Sequence, residues 1–101
     1  MKLVHIVFFN VSEGDNMLKK HILDSLKSKL EGLQSVISEI QKLEVGSNIS
    51  NRGVAWDMAL NTEFPGLEAL EVYQNHPQHI QVLEWIKSQP LNVAVVDYWV
   101  S

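Results

Sequence analysis

No cysteine occurs in this chain, so disulfides, thiolate nucleophiles and thiolate metal ligands are all excluded. Proline is scarce at three residues and glycine little commoner at five, which rules out collagen-like and linker-like composition. No apolar run approaches the ~18 residues that span a bilayer. Basic side chains are in the minority, eight Lys and Arg against twelve Asp and Glu, for a formal net charge of −4. That balance gives neither a nucleic-acid backbone nor an anionic membrane a reason to bind. The opening "MKLVHIVFFN" reads as a strand rather than a signal peptide, with no small-residue cleavage site behind it, and a cytoplasmic location is the expectation.

What remains is ordinary globular composition, 46% hydrophobic and 20% charged, and residues 1–101 are expected to form one domain. Residues 2–9, "KLVHIVFF", are β-branched and aromatic and predict a strand. "SEGDN" is turn chemistry, with Asp15 placed to cap a helix. Leu18, Ile22, Leu26, Leu30 and Leu33 then recur at helical spacing, and the helix is expected to end near Gly32. "VISEIQKLEVGS" (36–47) and "VAWDMALNTEF" (54–64) predict two further strands, the latter with Val54, Trp56, Met58 and Leu60 on one face. "LEALEVYQN" predicts a helix that His76-Pro77 must interrupt, because proline disfavours the α conformation in the residue before it. Pro77 suits the first position of a new helix, and "LNVAVVDYWV" closes the chain as a strand. The order β-α-β-β-α-β, with the last helix broken, predicts an α+β, ferredoxin-like antiparallel sheet with its helices on one face.

Side chains alternate across a strand. Both alternating sets of the first and last strands are apolar, and helices on one side cover only one set. Burying about 600 Å² more per chain would supply about 15 kcal/mol of gross driving force, before the cost of association. A twofold homodimer with its sheets packed face to face is therefore expected.

Candidate chemistry concentrates in "VYQNHPQHI" (72–80), which holds two of the chain's four histidines. His79 is the third residue of the helix that begins at Pro77. The positive end of that helix disfavours a protonated imidazole, leaving a ring able to accept a proton. Tyr73 lies a little over one turn before the break, where its hydroxyl could meet a developing enolate oxygen. His5 joins them if its strand face lies beneath the helices. The plainer alternative is that Tyr73 and His79 satisfy each other and nearby backbone at a kink. Asp97, a charge on an apolar strand, either lies near an exposed end or orients a histidine ring. His76 is placed for a structural role at the junction.

The stretches "HIVFF", "EFPGLEAL", "YQNHPQH" and "VVDYWV" together resemble the stress-responsive A/B-barrel (Dabb) family, over residues 2–100. The resemblance implies a dimeric α+β barrel, with a small-molecule pocket between sheet and helices and no cofactor. One resembling branch, the plant polyketide cyclases, closes a linear polyketide by an intramolecular aldol step. Carried over from it, Tyr73 and His79 are the candidate catalytic residues, with His5 and Asp97 beside them. Trp56 and His76 are expected to contribute to the pocket wall. Trp56 stands where the cyclases have another pocket histidine, and Leu30 where they have a tyrosine. Both replacements exchange a polar group for an apolar one.

The expected function is a homodimeric Dabb-type module with a pocket for a small apolar or carbonyl ligand. The alternative is a cofactor-free acid–base enzyme acting on a carbonyl-rich substrate, with His79 as base. Three other chemistries are weaker. A three-histidine metal site from His5, His76 and His79 lacks a helical ligand pair or a carboxylate partner. Haem ligation by His79 or His76 has no supporting motif. "RGVAWDMA" (52–59) imitates an RNA-recognition strand but keeps only Trp56 of its three aromatic positions.

Overall fold

A computed structural model describes residues 1–101. The strands and helices are β1 (Lys2–Val11), α1 (Asn16–Glu31), β2 (Lys42–Ser47), β3 (Met58–Phe64), α2 (Leu67–Asn75), α3 (Pro77–Lys87) and β4 (Leu91–Val100). The sheet order is β2-β3-β1-β4 and every neighbouring pair is antiparallel, the expected ferredoxin-like α+β arrangement. No helix is long and apolar enough to cross a membrane.

The helix starts follow from local chemistry. Asp15 caps α1, its carboxylate accepting from the backbone N–H of Met17 at 2.9 Å and of Leu18 at 3.1 Å. His76 is extended (φ −67°, ψ 135°), as a residue before proline must be, and separates α2 from α3. Its Nδ1 accepts from the Gln78 N–H at 3.1 Å, making it the cap of α3, while Pro77 fills the first helical position.

Two stretches depart from expectation. Turns occupy most of residues 32–39, and the strand expected over 36–47 is confined to Lys42–Ser47. Leu33, Ile37 and Ile40 continue the helical spacing of Ile22, Leu26 and Leu30, and all six are buried in the core. The period of the apolar stripe outlasts the helix, and the local bonds Ile37 N–H to Leu33 O and Ile40 N–H to Ile37 O reflect it. The strand expected over 54–64 likewise begins only at Met58. The alternation stops at Asp57, whose carboxylate accepts from the Val11 N–H at 2.7 Å and meets the Lys19 ammonium at 3.1 Å. Val54 and Trp56 therefore do not share the buried face of Met58 and Leu60, and both are exposed or largely so.

One sheet face carries Leu3, His5, Val7 and Phe9 of β1, cross-paired with Phe64, Thr62, Leu60 and Met58 of β3. The three helices bury this face against Leu26, Leu30, Leu70, Tyr73 and Ile86. The opposite face is divided. Its β2 and β3 half is polar, with Glu63 paired to Lys2 at 3.2 Å and to Lys42 at 3.8 Å. Its β1 and β4 half is apolar, with Ile6, Phe8, Val96, Tyr98 and Val100 uncovered to varying degrees. β4 is also left bare on the helical side, where Val93 and Val95 are 47% and 51% exposed.

Candidate functional site

Between β1, β4 and the two short helices lies a cavity of about 290 Å³ with mostly hydrophobic walls. Val7, Leu60, Val82 and Ile86 contribute to those walls, and Val93 and Val95 of the uncovered β4 form one side. His5, Tyr73, Gln74 and His79 supply its polar groups. β1 contributes His5, α2 contributes Tyr73, and the first turn of α3 contributes His79. The three rings cluster at steep angles rather than stacking: the Tyr73 centroid lies 4.4 Å from that of His79, tilted by 53°, and 6.2 Å from that of His5, edge-on at 68°. Phe64 backs Tyr73 at 5.0 Å.

The two histidines are each oriented by an identifiable neighbour. His5 is paired directly across from Asp97 on β4, and its Nδ1 hydrogen-bonds the Asp97 carboxylate. A carboxylate can only accept, so Nδ1 carries the proton and Nε2 is the remaining ring nitrogen. The His5 carbonyl is held from the other side by the Thr62 hydroxyl, which donates to it at 2.8 Å.

Tyr73 is 1% exposed, and its hydroxyl makes no hydrogen bond within the chain. Burial pushes its pKa up to about 12, so at neutral pH it is a donor in want of an acceptor.

His79 donates Nδ1–H to the Gln74 carbonyl at 3.1 Å. Its pKa is lowered, first by burial and then by the charges of His5 and His76, against an opposing effect from the Gln74 bond. Burial rather than the helix end leads this lowering. A neutral His79 with Nδ1 protonated has a lone pair on Nε2.

The structure brings His5, Tyr73, His79 and Asp97 together, with Asp97 behind His5 rather than on the cavity wall. It does not bring Trp56 there. Trp56 lies beside Phe8, Gly46 and Ala59 at a separate surface groove, because the chain leaves the strand alternation before Met58. His76 is also absent from the wall: capping α3 turns its ring toward the Gln78 N–H and an outer groove with Glu71 and Asn75. No group of three or more His, Cys, Asp or Glu side chains is placed to hold a metal ion. Gln74 was not singled out from sequence, yet its carbonyl fixes the His79 tautomer. The signal was available, because a proline in the next turn leaves nearby carbonyls of the preceding helix without their usual partners.

Among solved structures, the chain is similar to a dimeric protein of unknown function with a ferredoxin-like fold from Bacteroides fragilis. The two share 32% identity over 98% of this chain and 96% of that one, at a TM-score of 0.85. A hydroxynitrile lyase from Passiflora edulis superposes with a TM-score of 0.81 over 99% of this chain and 94% of its own, but at 14% identity that likeness concerns the fold alone. An uncharacterised protein of Streptomyces coelicolor is 29% identical over 75 residues, 74% of this chain and 76% of its own length. The model of the stress responsive A/B barrel domain matches residues 3–100. With sheet order, broken helix and whole-length match in agreement, the chain belongs to the stress responsive A/B barrel (Dabb) domain family.

Proposed function

We propose that this chain acts as a homodimer that binds one small, largely apolar molecule per protomer between sheet and helices. The observation that carries the reading is the unpartnered Tyr73 hydroxyl beside the His79 ring in an apolar cavity. Tyr73 lines the cavity and its hydroxyl has no acceptor in the chain, so a ligand atom there is the natural partner. The dimer is supported by the contiguous bare apolar half of the sheet face on β1 and β4, a surface of the kind that marks an interface, and by the dimeric state of the Bacteroides fragilis relative. The test is a screen of small aromatic and aliphatic probes by protein-observed NMR, with light scattering on the same sample. Shifts centred on Val82, Ile86 and Tyr73, in a species about twice 11.5 kDa, are expected. Probes that perturb only outer surfaces would refute the pocket.

A second reading, a cofactor-free acid–base enzyme acting on a carbonyl substrate, is favoured by the Asp97–His5 pair. Binding alone does not call for a carboxylate-oriented imidazole, whereas proton transfer does. In that reading His79 Nε2 takes a proton from the carbon beside the carbonyl. Tyr73 then donates to the enolate oxygen, and His5 exchanges a proton through Nε2. His79→Ala should abolish turnover and leave the dimer intact, and a full-rate variant would remove the reading.

A further inference from the structure

Two neighbouring polar groups of the cavity, His79 and Tyr73, have a defined hydrogen-bonding sense. His79 commits Nδ1–H to the Gln74 carbonyl, so Nε2 is left as an acceptor. The Tyr73 ring lies 4.4 Å from that of His79 between centroids, and its hydroxyl, with no partner in the chain, is a donor that also has lone pairs. His5 is tied to Asp97, so any positive charge on its ring is already matched by that carboxylate. No lysine or arginine lines the cavity. The fixed charge nearest its polar groups is therefore negative.

We infer that the cavity selects an uncharged ligand bearing a hydroxyl group on an apolar body, an alcohol, phenol or enol, and rejects carboxylates of the same shape. One hydroxyl meets both demands, giving its proton to His79 Nε2 while its oxygen accepts from Tyr73. A carboxylate accepts from Tyr73 but offers nothing to the His79 lone pair. It also carries charge into an apolar site with no cation to meet it, on the same side as Asp97. A bare hydrocarbon fits the walls but leaves donor and acceptor unpaired, a mismatch that such sites discriminate strongly against. The volume of about 290 Å³ lies at the small end of ligand pockets, suited to a single substituted ring. The inference also narrows the acid–base reading, since an enol is the bound form of a carbonyl compound that this pair of groups would stabilise.

This inference rests on the proposed binding function, and three isosteric probes separate the two. Para-propylphenol, para-propylbenzoate and propylbenzene are titrated into the purified protein at neutral pH, with affinities from calorimetry and positions from NMR shifts. The phenol should bind at least about tenfold more tightly than either of the others. Tyr73→Phe should weaken the phenol several-fold while leaving propylbenzene unchanged, because the bond to His79 Nε2 remains. Equal or tighter binding of the benzoate in the unaltered protein, or a phenol no better than the hydrocarbon, overturns the inference while the pocket stands. If no probe shifts the cavity residues, the binding function itself fails and takes the inference with it.

Discussion

The Nδ1–H of His79 is held on the carbonyl of Gln74, 3.1 Å away and across the break between two helices. In an unbroken helix that carbonyl would accept the N–H of Gln78. Here the Gln78 N–H is taken by His76 Nδ1, because Pro77 keeps His76 extended. The break thus releases the acceptor that sets the tautomer of His79. Pro77→Ala restores an N–H at that position and lifts the restriction on His76. Nitrogen-15 NMR of the His79 ring should then show a mixture of tautomers. A ring that stays purely Nδ1-protonated would show that the carbonyl is not released by the proline.

Removing the Tyr73 hydroxyl breaks no bond within the chain. Tyr73→Phe should therefore unfold within about 0.5 kcal/mol of the parent in urea. Tyr73→Ala, which removes a ring packed on Phe64 and both histidines, should cost about 3–5 kcal/mol. A large loss from the phenylalanine variant would mean that the hydroxyl already has a partner.

Asp57 ties the start of β3 to the end of β1 through the Val11 N–H, and to α1 through Lys19. Asp57→Ala should cost about 1–3 kcal/mol, since it leaves the Val11 N–H unpaired in a largely buried place. Asp57→Asn keeps an acceptor and loses only a partly exposed ion pair, so its cost should be about 0–1 kcal/mol. Equal urea midpoints for the two variants would show that the hydrogen bond to Val11 contributes nothing.

Acidification tests the environment of His79. Its folded pKa lies below the ordinary 6.5, so between those two values the unfolded chain binds more protons than the folded one. The associated stability is complete above about pH 6.5 and is lost as pH falls through that window. His79→Gln should lose less stability than the parent over the same acid range. An NMR titration placing the His79 pKa at or above 6.5 would contradict this.

The apolar sheet face gives the test of assembly. Val96 of β4 is 52% exposed and sits opposite Ile6 on that face. Val96→Asp should leave the single-chain fold intact, as judged by circular dichroism, and yield a monomer by light scattering. A dimer that survives the substitution would place the interface elsewhere.

Much of this architecture is legible in the residues themselves. β1, α1, β4 and the interruption at His76 follow from β-branched runs, an aspartate cap and one proline. The two stretches that differ have physical causes. The stretch 36–47 alternates only imperfectly, and Ile37 and Ile40, three apart and so on opposite faces of any strand, keep the period of α1 and are buried in its core as turns. Trp56 fits the strand register by counting back from Met58, yet the bonds from Asp57 to Val11 and Lys19 end that register first. At the site the ring types are readable, but Asp97 faces His5 through a pairing between opposite ends of the chain that no local pattern reveals. The Gln74 carbonyl is backbone, signalled only indirectly by the proline that frees it.

The final strand, β4, pairs on one edge only, is covered by helix on neither face, and contains ten residues with a single charge and no proline. Such a segment is a template for indiscriminate self-association. If the chain pairs as proposed, a newly synthesised copy that has not yet met its counterpart carries this hazard alone, and its lifetime in that condition matters more than its intrinsic folding energy. Dilution should lower the melting temperature, and slow assembly in a crowded expression host should send material into inclusion bodies rather than into free monomer.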